Sequence, residues 1–126
     1  MGDYHEPEGE LSSHARDLHR ALVSLKEEIE AIDWYNQRWE ACKDPSLRAI
    51  LGHNRDEEIE HASMTLEWLR RNMPHWDEVL RTYLFTDAEI TQLEAAKEAA
   101  EAGADAVQAP QSPRGDLGIG SQRRKR

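Results

Sequence analysis

Apolar residues return at Leu11, Ala15, Leu18, Leu22, Leu25, Ile29, Ile32 and, past Asn36, at Trp39, in steps that alternate four and three. Side chains three and four apart share a helix face, so this spacing predicts one long amphipathic helix with a heptad seam. Ser12 or Ser13 is placed to cap its start, where a side-chain oxygen satisfies an orphan N–H. Asp44-Pro45-Ser46 ends it, because proline disfavours helix at the residue before it. A second helix restarts at Pro45 or Ser46 and runs to Arg71 or Asn72, ahead of Pro74. Leu47, Ile50 and Leu51 are apolar at one end of it, and Leu66, Trp68 and Leu69 at the other. So short a connection makes the two helices antiparallel neighbours.

Pro74 opens a third, shorter helix with Trp76, Val79, Leu80, Tyr83 and Leu84 at helical spacing. Thr86-Asp87-Ala88-Glu89 reads as a capping box for a weak fourth segment carrying Ile90 and Leu93. From Ala102 the composition turns to Gly, Ala, Pro and Gln, which predicts a disordered linker over 102–116. One apolar island follows, Leu117-Gly118-Ile119-Gly120-Ser121, within a last segment 117–126. Residues 1–12 are expected to be a flexible N-terminus and 13–101 the helical body. A hairpin alone cannot cover its own stripes, since Trp34, Tyr35, Trp39 and Trp68 flank the seam and still need partners. The expected fold is therefore all-α: an antiparallel two-helix hairpin plus short C-terminal helices, pairing with a second copy into a four-helix bundle.

Length and charge narrow the function. The chain has 126 residues, enough for one small domain. A net charge of −9 and a pI near 5.1 argue against nucleic acid, whose phosphates need Lys and Arg. Four of the cations, Arg123, Arg124, Lys125 and Arg126, crowd behind Gln122, so the rest of the chain is more acidic still. Cys42 is the single cysteine, which rules out an intramolecular disulfide and a thiolate cluster. No stretch approaches the roughly 20 apolar residues of a membrane span, and residues 1–6 lack the basic and apolar regions of a signal peptide. A soluble, cytoplasmic protein is expected.

The chemistry lies on the second helix. At about 100° per residue its apolar face is centred on Leu47, Leu51, Ala62 and Leu69, and Glu58 falls within that arc. His61 lies about 60° away on the same side. A carboxylate and an imidazole in a core are costly unless each has a partner, so the pair is either a core salt bridge or a metal site. The Glu-x-x-His spacing favours metal, because both side chains then reach one ion. Glu28, beside the Leu25, Ile29 and Ile32 seam of the first helix, offers a second carboxylate, with Tyr35 one heptad further along. Carboxylate and imidazole together suit iron or manganese better than zinc or copper. Di-iron carboxylate bundles use a Glu from each of two helices and a Glu-x-x-His from each of two others. This chain holds half of that set, and two chains complete it. Glu27, Glu30 and Trp34 form a patch on the outside of the first helix, by default a solvated face. Glu57 points to the edge of the apolar arc, His53 and His75 read as surface histidines, and His14 and His19 lie away from Glu28.

Three runs carry a resemblance: residues 25–35 (LKEEIEAIDWY), 53–61 (HNRDEEIEH) and 64–72 (MTLEWLRRN). Together they resemble the encapsulated ferritins over roughly residues 5 to 95, and again at 117–121. The resemblance implies two-helix subunits that dimerise into a ferritin-like unit and assemble as a ring of dimers, a decamer. It implies a ferroxidase that oxidises Fe(II) with dioxygen for iron storage inside an encapsulin nanocompartment. By position, Glu28, Glu58 and His61 would hold iron, two ions per dimer, with Tyr35 the nearby tyrosine. Glu27, Glu30 and Trp34 match the family's outer metal site. Leu117 to Ser121 look like the peptide that docks in the encapsulin shell, although the basic residues after it depart from the family's pattern. Two other readings stay open: a dimanganese catalase-like enzyme, and a non-catalytic helical adaptor whose Glu58 and His61 fix register.

Overall fold

The computed structural model describes residues 4–111, with side chains through Ala104. Every regular element among these residues is helical. A 3-10 turn at Glu8–Glu10 precedes α1 (Ser13–Ala41), α2 (Pro45–Asn72), α3 (Trp76–Tyr83) and α4 (Ile90–Gln111). The punctuation is local. Ser12 Oγ accepts the Ala15 N–H at 3.0 Å and starts α1. Asp44 Oδ2 accepts the Leu47 N–H at 2.8 Å and starts α2, with Pro45 in the first turn, where its missing N–H costs nothing.

α1 and α2 pack on each other as an antiparallel hairpin. Beside the turn, Arg48 Nε donates to the Trp39 carbonyl at 2.9 Å, and at the open end His14 Nε2 lies 3.1 Å from the Asn72 carbonyl. The two helices approach closely at Gly52, where a Cβ would stand 3.1 Å from the Trp39 indole. Arg48 and Arg55 hold that indole from 3.9 and 4.6 Å. Near the C-terminal end of α2, Arg70 forks onto Glu67 at 2.8 Å and also bonds Asp77, while Arg71 adds a bond to Glu67 at 2.7 Å. Those two guanidiniums hold the Glu67 carboxyl down at about 2.

The chain divides after Asp77 into two compact units, and in the first the core is thin. Leu69 is its one fully buried large side chain among the described residues. Ile50 and Met64 on α2 remain 54% and 57% exposed, with Trp68 in line with them. By helical register Leu22 and Ile29 of α1 and Ile59 of α2, also exposed, face the other way. The hairpin leaves apolar surface on both sides.

Three expectations need amending. The segment before α1 makes contacts with it: Tyr4 stacks on His19 with ring centroids 4.6 Å apart, and Arg16 Nη2 donates to the Glu8 carbonyl at 2.6 Å. Thr86 does not cap the fourth helix. Its hydroxyl turns back to the Tyr83 carbonyl at 2.8 Å, and Glu89 does the capping, its carboxylate accepting the Gln92 N–H at 3.2 Å. α4 also runs on to Gln111, into the segment expected to be a disordered linker. Ala95, Ala96, Ala99, Ala100, Ala102, Ala104 and Ala106 explain that, since alanine has the highest helix propensity and outweighs Gly103. The island at 117–121 and the basic run after it lie outside the described residues.

Candidate metal centre

Glu28 sits near the middle of α1, on the face turned to α2; Glu58 and His61 sit one helical turn apart on α2. The antiparallel pairing brings them together, and one ligand atom from each lies within 4.8 Å of the other two. His61 Nδ1 is 2.9 Å from Glu58 Oε1 and 3.4 Å from Glu28 Oε2. These are the only such three residues gathered among the described residues.

The three groups are electrostatically tied to one another. Hydrogen bonding to Glu58, then burial, pushes the Glu28 carboxyl above its ordinary range, because two adjacent carboxylates resist ionising together. The same hydrogen bond, with help from His61, pulls Glu58 down. The bond to Glu58 raises His61 against the opposing effect of burial. Glu28 Oε2 is inaccessible to solvent, and its 3.4 Å contact with His61 Nδ1 is an ion pair without the geometry of a hydrogen bond. A buried acceptor left unsatisfied is unfavourable, and a cation held jointly with Glu58 and His61 would satisfy it. Three ligating residues would leave positions on an octahedral ion open for water or further groups.

The sequence placed both the Glu58 carboxylate and the His61 imidazole in a core. Here His61 is 46% exposed and Glu58 23%. α1 covers one side of the trio and leaves the other open. On that open side Ile50, Glu57, His61, Met64 and Trp68 recur at steps of three, four and seven along α2, an exposed stripe with the imidazole in its middle. Glu57 adds negative charge there and helps to raise His61. Ile50 and Trp68 were legible as apolar, but their role in flanking the site was not, because a single helix does not reveal which face its partner leaves bare. Tyr35 is half-buried on the Glu28 side of α1, with the Arg38 guanidinium 5.2 Å from its ring centroid. Glu27, Glu30 and Trp34 all lie exposed on α1, Trp34 at 51%, and within one chain they do not join the trio.

A helical hairpin that offers one Glu and one Glu-x-x-His along a shared, half-open face has the fold and residue pattern of the ferritin-like class. The chain belongs to the EncFtn-like family, whose model matches residues 3–87. It is 58% identical over 119 residues to an encapsulated ferritin-like protein of Rhodospirillum rubrum, covering 93% of this chain and 85% of that one. It is 67% identical over 91 residues to a ferritin-like protein of Thermotoga maritima, covering 72% and 80%. Protein ne0167 from Nitrosomonas europaea, known from a crystal structure, superposes with a TM-score of 0.68 at 60% identity, over 70% of this chain and 97% of that one.

Proposed function

We propose that two copies of this chain pair across the open face of the trio, enclose two Fe(II) ions, and oxidise them with dioxygen as cargo of an encapsulin shell. The observation that carries the reading is the convergence of Glu28, Glu58 and His61 within 4.8 Å, with one Glu28 oxygen buried without a hydrogen bond and the far side of the site uncovered. A second chain would bring the same three side chains from the other side and bury the Ile50, Met64 and Trp68 stripe with them. Iron is the substrate here. Each Fe(II) gives one electron to dioxygen, and Fe(III) then leaves for storage. The protein's part is to gather the ions, neutralise their charge with carboxylates, and keep them together. Pairing across one face leaves Leu22, Ile29 and Ile59 exposed on the other, which supports further assembly into a ring of dimers, as expected for a decamer. Glu27, Glu30 and Trp34 form the outer metal site of this reading, and Tyr35 lies beside the inner one. The Rhodospirillum relative's description as encapsulated supports the shell, with residues 117–121 the docking peptide.

Iron-dependent dioxygen consumption by the full chain tests the reading. Wild-type protein should consume dioxygen on adding Fe(II), and His61→Ala or Glu58→Ala should lose about 100-fold or more of that rate while keeping helical content. Full activity in both variants would place the metal elsewhere. Glu27→Ala with Glu30→Ala should alter the rate or metal stoichiometry without ending turnover; a dead double variant would reverse the two sites.

A further inference from the structure

Of the chain's three methionines, Met64 and Met73 are described with their side chains, and the fold treats them oppositely. Met73, at the C-terminal cap of α2, is half-buried, and the Trp76 indole N–H donates to its sulfur at 3.2 Å. Met64 is 57% exposed, in the stripe that carries His61 and Trp68. It lines two shallow grooves beside Trp68, one shared with Asp17, Arg20 and Ser24 of α1 and the other with Glu60 and Glu67 of α2. Its thioether therefore stands on the ridge between them, one helical turn from the His61 imidazole. Burial against a second copy would account for an apolar side chain here, whatever its kind. A thioether differs from the Ile50 and Trp68 side chains of the same stripe in one respect: a mild oxidant turns it from apolar to polar.

We propose that Met64 is a peroxide-modified site that governs pairing: its sulfoxide places a polar oxygen on the face where the second copy packs, and keeps the chain unpaired. Hydrogen peroxide is the oxidant, and the step balances. The O–O bond breaks, an S–O bond forms, the sulfur gives up two electrons, and water leaves. Burying the new oxygen without a donor is unfavourable, and a symmetric pair buries it twice. A methionine sulfoxide reductase reverses the change. The susceptibility of Met64 depends on neither iron nor partner, whereas its effect on assembly rests on the proposed function. In that reading peroxide also arises locally, because two electrons from two Fe(II) ions carry one dioxygen as far as hydrogen peroxide. Peroxide that outlasts the reaction would then stop further chains from pairing.

The test treats the metal-free full chain with hydrogen peroxide, quenches with catalase, and reads both methionines by peptide mass spectrometry. Met64 should oxidise about tenfold faster than Met73, following its exposure. Comparable rates would overturn the proposal. The quenched protein is then exchanged into anaerobic buffer, and its mass is followed by light scattering as Fe(II) is added. Oxidised wild type should pair about 30-fold more weakly than untreated protein, the scale of one unsatisfied oxygen buried per chain. Met64→Leu, treated alike, should pair as strongly as untreated wild type. Loss of pairing in treated Met64→Leu would assign the effect to another residue, such as Cys42 or Trp68, and overturn the proposal. Untreated Met64→Gln, polar without oxidation, should pair as weakly as oxidised wild type, and full-strength pairing would equally overturn it. Untreated wild type that stays monomeric throughout would contradict the proposed function, and the assembly role of Met64 with it. Wild type that pairs whether oxidised or not would overturn this inference alone.

Discussion

At the trio, protons and metal compete for the same atoms, and that fixes the sign of the pH dependence. His61 is raised above 6.5 by its bond to Glu58, so its contribution to stability is complete below 6.5 and is lost as pH rises through the higher folded value. Glu28, raised above 4.5, behaves in the same direction, complete below 4.5 and lost as pH rises through its folded value. Glu58, held below 4.5, contributes stability above that value and loses it as pH falls through the lower one. Metal-free protein should therefore melt at a lower temperature as pH climbs past 6.5 toward 8. Metal affinity should rise over the same window, because the ion displaces the His61 proton. Thermal melts and Co(II) titrations across that range check both slopes, and His61→Ala should flatten them. At Gly52 the prediction concerns packing. Gly52→Ala gains about 1 kcal/mol of helix propensity but drives a methyl against an indole that two guanidiniums hold in place. Overpacking costs about 1–3 kcal/mol, so urea unfolding should show a net loss of about 1 kcal/mol. The trio was legible because Glu-x-x-His places Glu58 and His61 on one face of α2 and Glu28 lies beside the apolar seam of α1. Their exposure was not, since a helical wheel reports which residues share a face and nothing of what covers it.

Helix boundaries in this chain follow from short-range chemistry, which is why most could be read directly. Ser12 and Asp44 each satisfy an orphan N–H, and Pro45 sets the start of α2. Asp44→Ala should lower stability by about 1 kcal/mol, seen as a shifted denaturation midpoint with the denaturant slope unchanged. Where two polar residues competed for one role, pattern alone chose wrongly. Thr86 and Glu89 both suit the start of α4, and the outcome turned on Thr86 finding the Tyr83 carbonyl one turn back. The extension of α4 to Gln111 was missed for a related reason. Gly and Pro signalled a break, while the alanines between them carry enough propensity to continue the helix.

At the scale of the whole chain, the hairpin of α1 and α2 has a thin core and much bare apolar surface, and the proposed pairing accounts for both. Among the described residues Leu69 is its one fully buried large side chain, while Ile50, Met64 and Trp68 lie exposed beside the Glu28, Glu58 and His61 trio. On the proposed reading, that bare stripe is the surface a second copy would cover. Deleting residues 117–126 should leave iron oxidation intact and abolish co-purification with a shell protein; undiminished loading would remove the docking role from that segment. The shared site itself is tested most directly by anaerobic Fe(II) titration of the full chain, with mass followed by light scattering at each addition. The account predicts that bound iron saturates at two ions per dimer, one per chain, and that mass moves from monomer to dimer or larger ring as the site fills. Two tightly bound irons in a species that stays monomeric would contradict it.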